Sequence, residues 1–289
     1  MRITNGLIQQ RVLRDIQAGM ANLAQAQAQV ASGKRFDRMS EDPLAGNQVI
    51  TADRGLRAVD QYRRNSSAAR ARVDAEESVL NQLTDLITRA KELAMQEGSS
   101  TSTNLTRAAT ADEVTQLIDQ AIQLGNTQVG SEYLFAGHQV GVPFDAAGSY
   151  FGDSGQHQAE IGQSYRMVTN HNGNELLVSS GVLGSLKDLL TQLQSGTSTT
   201  VRNTITGLDG AFTQVQTMLA TTGARSRQLD AAVQNTDALE SSLTMAKSSA
   251  QDVEVEQATL RVASSQTALQ AALLSTSRIL NTSLTDYLR

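Results

Sequence analysis

The chain contains no cysteine, which excludes disulfides, thiol nucleophiles and cysteine-ligated metal centres. Tryptophan is also absent, prolines number two in 289 residues, and aromatics make up 3%. Few bulky side chains means little material for one wide globular core, whereas abundant Ala, Gln, Ser and Thr suit long, thin helical layers. No run approaches the ~20 apolar residues of a membrane span, and MRITNGLIQQRVLRD lacks the unbroken apolar stretch of a secretory signal. The expectation is no membrane insertion, in a protein either cytosolic or exported by a route that reads no such signal. A strong charge of one sign is missing too: the net charge is −5 and it is spread out. Neither nucleic acid nor an anionic membrane is therefore expected as a partner. Arg54, Arg57, Arg63, Arg64, Arg70 and Arg72 make one helix locally basic. They wrap round it without interleaved aromatics, which reads as a solvated or partner-facing surface, not a nucleic-acid stripe.

What the sequence does have is helical periodicity. Leu13, Ile16, Met20, Leu23 and Val30 step by threes and fours, with Gln27 interrupting, up to a stop at Ser32-Gly33. A longer alternation runs through Val59, Tyr62, Ser66, Ala69, Val73, Glu76, Leu80, Leu83, Ile87, Ala90 and Ala94, the seam of a coiled coil. Asp42 can cap its start with Pro43 in the first turn, and the polar tract GSSTSTN ends it. A third helix is expected with Thr110 and Glu113 at capping-box spacing and Val114, Leu117, Ala121 and Leu124 on its face. From about Gly130 to Gly184 glycines recur and most aromatics fall, and EYLFAG, QAEIG, SYRMVTN and NELLVSS read as strands and turns. The helical alternation resumes from Ile205 to Leu243, slips near AKSSAQDVEVE, and a last helix runs through Val262, Leu269, Leu273, Leu280 and Tyr287.

The layout is mirror-like, and it predicts a mainly α fold: an elongated antiparallel coiled-coil rod formed by the N- and C-terminal segments, with a small β-rich insertion at its tip. The segments are 1–38, a terminal helix; 39–130, rod helices; 131–184, the insertion; 185–245, rod helices again; and 246–289, the other terminal helix. Chain ends paired in this way retain a surplus apolar flank, which neighbouring subunits would cover.

ASGKRFDRMSEDPLAG, ELAMQ, GNTQVGSEYLFAG, RQLDAAVQNTDALESSL and QAALLSTSRILNTSLTDYL, in this order, resemble the flagellin superfamily, and within it the hook–filament junction branch. The likeness covers both helical arms, essentially everything outside Phe144 to Gly181. It implies a structural subunit of the bacterial flagellum that joins the hook to the filament. The implied partners are the first hook-associated protein, filament flagellin, further copies of itself in a ring layer, and an export chaperone on the C-terminal helix. It also implies export through the flagellar type III apparatus, and makes the terminal seams the assembly interface: Leu13, Ile16, Met20 and Leu23 with Leu269, Leu273, Leu280 and Tyr287.

No enzyme is expected, because no GxSxG, P-loop or HExxH pattern occurs. No cofactor is expected, and no metal: His138, His157 and His171 lie among Asp145, Asp153 and Glu175 without close ligand spacing. Two other roles stay open, a minor filament flagellin and a secreted surface-binding module that uses the insertion. An adaptor is expected to assemble without Asp145 to Ser180, whereas a ligand-binding module would lose its function.

Overall fold

The computed structural model describes the backbone of residues 2–99 and 102–287, and their side chains apart from those of 2–6, 8, 9 and 278–287. In chain order the elements are α1 (Arg2–Ser32), α2 (Pro43–Glu97), α3 (Asn104–Gly125), β1 (Gln128–Val129), β2 (Glu132–Tyr133), β3 (Gln158–Gly162) and β4 (Tyr165–Val168). A π-helical turn (Asn174–Ser179), α4 (Val182–Ser195), α5 (Ser198–Gln251) and α6 (Val255–Tyr287) follow. The mainly α fold class with a small β-rich insertion is as expected. The two hairpins, β1 with β2 and β3 with β4, are both antiparallel.

Two units are distinguishable. One joins Met1–Arg57 to Glu240–Arg289, and the other is Ala58–Leu239. In the second, the expected α2 seam is found on the buried side throughout, with Val73, Leu80, Leu83, Ile87, Ala90 and Ala94 at most 2% exposed. It packs on Val114 and Ala121 of α3, Leu186 and Leu189 of α4, and Leu208 and Val215 of α5. Ion pairs place α2 antiparallel to α5 in one register: Arg63–Asp237 (2.7 Å), Arg70–Asp230 and Lys91–Asp209 (2.5 Å). Arg72 meets Glu132 of β2. These arginines of the basic helix thus bind the protein's own acids.

The glycine-rich segment contributes to the same core. Leu134, Phe135, Phe144, Leu176 and Leu177 are at most 1% exposed and cluster with the helices. Gly125 permits the approach, since a Cβ there would sit 2.7 Å from Leu177 and 2.8 Å from Phe144. The β3–β4 hairpin lays Ile161 and Met167 on Ala69 and Val73 of α2 and on Leu229 and Ala232 of α5. Removing Asp145 to Ser180 would therefore take out core, which overturns the expectation that an adaptor would assemble without it.

Three local expectations are corrected. NELLVSS is not a strand, because its two central leucines enter the core from the π-helical turn. The EYLFAG run contributes only Glu132–Tyr133 as strand. The α3 cap is Thr103, reciprocated by Thr106, and not Thr110. Thr110 instead donates to Glu97 Oε1 (3.2 Å), a 1%-exposed carboxylate that also accepts from the hydroxyls of Ser102 and Thr106. Burying that carboxylate demands donors, and the α3 N-terminus supplies them.

Candidate assembly surface

The first unit is held by an elbow. Gly33 takes the left-handed conformation (φ +70°) that ends α1. The chain beyond it pairs with the α5–α6 junction: Arg35 N–H donates to Gln251 O (2.7 Å) and Val253 N–H to Gly33 O (2.9 Å). Phe36 is 4% exposed and packs with Ala45, Val49 and Ala250. Asp42 accepts from the Ala45 amide (3.0 Å) as the expected cap and pairs with Arg35 (2.9 Å). This joint directs α6 back along α1, so the two terminal helices pair antiparallel.

The seam of that pair consists of Val12, Ile16, Gly19, Leu23 and Ala26 on α1 and Ala258, Val262, Ser265, Leu269, Ala272 and Thr276 on α6. Both series keep the three-four alternation of a coiled coil. Many members are small, and a Cβ on Gly19 would stand 3.4 Å from Leu269 Cδ1. Small seam residues let helix axes approach closely, and the large side chains beside them are left outside.

Among the assigned interface residues, Ile16, Leu23 and Leu269 are half-buried in the seam. Leu13, Met20 and Leu273 lie on its flank, 60%, 52% and 45% exposed, and Leu280 and Tyr287 lie outside the described side chains. Leu260 and Leu274, each 66% exposed, lie on the side of α6 away from the seam and were not singled out from the sequence. Small residues recurring at 19, 26, 258 and 272 would have been the signal. The unit thus has one zipped seam and an apolar remainder facing outward.

The histidines are engaged within the second unit. His138 and His157 stack edge to face with ring centres 5.5 Å apart, and His157 Nε2 donates to Gly137 O (2.7 Å). His171 contacts Glu76. Among the described residues no group of three or more His, Asp or Glu is placed to hold a metal ion, and no helix is long and apolar enough to cross a membrane.

Asp153 orders this loop region by accepting the His138 and Gly155 amides, each at 2.8 Å. Those two N–H groups, His138 first, hold its carboxyl below the usual carboxylate range. A depressed folded pKa gives a contribution that is full above the unfolded value of about 4 and is lost as pH falls through the folded value. Acidification below about pH 4 should therefore lower the protection of the His138 and Gly155 amides relative to their intrinsic exchange rate at that pH. Asp153→Ala should show that loss of protection already at neutral pH. Unchanged exchange in the variant would assign the order of the loop to other contacts.

The helical arms match two family descriptions, the bacterial flagellin N-terminal helical region over residues 3–140 and the bacterial flagellin C-terminal helical region over residues 205–288. Flagellar hook-associated protein 3 of Escherichia coli K12 is 30% identical over 182 residues, 62% of this chain and 57% of that protein. A flagellin of Clostridium tyrobutyricum is 28% identical over 144 residues, 49% of this chain and 38% of its own length. The crystal structure of the flagellar junction protein FlgL from Legionella pneumophila has the same fold, with a TM-score of 0.60 at 14% identity over 71% of this chain and all of that one. The chain spans 57% of the length of the curated hook-associated relatives it matches.

Proposed function

We propose, for a chain that belongs to the bacterial flagellin family, the role of a structural subunit at the hook–filament junction of the flagellum. The observation that carries this is the α1–α6 pair, zipped through small residues, with Leu13, Met20 and Leu273 exposed along its flank and Leu260 and Leu274 exposed on the outer side of α6. An apolar flank of this extent on a helix pair calls for cover by other subunits. Copies of this chain in a ring layer, a hook-associated protein on the hook side and flagellin on the filament side supply that cover. An export chaperone on the C-terminal helix shields the flank before assembly, and the protein leaves the cell through the flagellar type III apparatus. Leu280 and Tyr287 continue the same interface.

Deleting Leu273 to Arg289 tests this. The thermal transition of the Ala58–Leu239 unit should be retained, because none of its core lies in the deleted segment, while filament growth should stop. A truncated protein that still supports filaments would overturn the role. The likeness to a flagellin favours one alternative, a minor filament subunit. Seeded polymerisation separates the two, since a filament subunit elongates its own seed and a junction subunit stays unpolymerised without its neighbours.

A further inference from the structure

The α2–α5 seam contains one buried ionic contact that its heptad pattern does not ask for. On α2 the row Tyr62, Ala69, Glu76, Leu83 and Ala90 has a single charged member, and on α5 the row Ala211, Met218, Arg225 and Ala232 also has one. The two face each other. Glu76 is 0% exposed, and Arg225 Nη1 lies 3.6 Å from its Oε2. The carboxylate is touched from a third element as well. His171, in the segment that follows β4, donates to Oε1 through its backbone N–H (2.9 Å) and through Nδ1 (2.6 Å). A carboxylate only accepts, so the Nδ1 carries the proton, and Arg225 Nη1 stands 3.3 Å from that same nitrogen.

A buried carboxylate without a countercharge is heavily penalised, and the penalty is relieved by turning outward or taking up water. Either movement withdraws the acceptor from His171. We propose that Glu76 is a charge latch: it holds the β-rich segment on α2 only while Arg225 of α5 neutralises it, so that seating of the insertion depends on pairing of the two long helices. The other contacts of the hairpin, Ile161 and Met167 on α2 and α5 and Asn65 Nδ2 donating to Glu160 O (2.8 Å), carry no charge and do not depend on the Arg225 cation. The latch also accounts for a carboxylate in a seam where an aliphatic side chain would pack.

Site-resolved hydrogen exchange on the full chain tests this with Arg225→Met, Glu76→Gln and the double variant. Arg225→Met should accelerate exchange at the His171 amide and across Tyr165–Val168 by at least about tenfold, the ratio corresponding to one decade of opening equilibrium. The double variant should be better protected than Arg225→Met alone, because a neutral amide at position 76 still accepts from His171 and needs no cation. Unchanged exchange in Arg225→Met, or a double variant worse than the single one, would overturn the latch. Should Arg225→Met fail to fold, Glu76→Gln decides with the double variant. The latch predicts equal protection in these two, whereas a purely packing role for Arg225 predicts that the double variant is less protected.

Discussion

Excision of Asp145 to Ser180 should abolish the cooperative unfolding transition of the Ala58–Leu239 unit. The deleted stretch contains Tyr150, Ile161, Met167, Leu176 and Leu177, all packed with the helices. Emptying the site of one buried leucine costs about 2–5 kcal/mol, and whole domains are stable by only about 5–15 kcal/mol. Losing Leu176 and Leu177 alone would consume most of that, and losing the hairpin would expose Ala69, Val73, Leu229 and Ala232 as well. Calorimetry should show no transition for this unit, with apolar-dye binding at room temperature. Val140→Ser, just before the excised stretch, is the control, since Val140 is 91% exposed and a surface change of this kind stays within about 0.5 kcal/mol. A well-folded deletion variant would mean that the helices close over the gap.

Placing glutamates at Leu13 and Met20 together should stop assembly while leaving the isolated chain folded. Both side chains are more than half exposed beside a seam formed by their neighbours, so the helix pair tolerates the change. In an assembled layer each would be covered, and burying the exposed half of such a side chain is worth about 1 kcal/mol. Forfeiting two such burials is about 2 kcal/mol, roughly thirtyfold in affinity per contact; any unpaired buried carboxylate adds several kcal/mol to it. The expected readout is helicity and a melting profile like the wild type, with no filament growth on hooks. Ile16→Glu is the contrast, because it strikes the α1–α6 seam and should reduce helicity of the free protein as well. Normal filaments from the double variant would remove the flank from the proposed interface.

How much was legible in the sequence differs from element to element. The α2 seam from Val59 to Ala94 was readable because its phase repeats over many heptads without a competing one. The Asp42–Pro43 start, the Gly33 stop and the QAEIG and YRMV strands were readable because caps, left-handed glycines and short alternations act within a few residues. On α1 two phases overlap: Leu13, Ile16, Met20, Leu23 and Val30, interrupted at Gln27, and Val12, Ile16, Gly19, Leu23 and Ala26, which is not interrupted. Hydrophobicity favours the first, and the structure buries the second, because glycine and alanine allow α6 to come close. Thr103, rather than Thr110, became the α3 cap for a related reason: the buried Glu97 takes the Thr110 hydroxyl as a donor.

The sequence by itself determined a mainly helical chain, cysteine-free and poor in aromatics, whose two arms resemble flagellin and whose ends carry surplus apolar residues. Tertiary structure alone decided which of those residues are zipped inside the terminal pair and which face outward, that the glycine-rich segment supplies core, and that Glu76 joins three elements. Periodicity and capping are encoded locally, within a turn or two of helix. Burial of one helix phase over another, and a carboxylate that finds its hydrogen-bond donor 95 and its countercharge 149 residues away, depend on partners that only folding brings together.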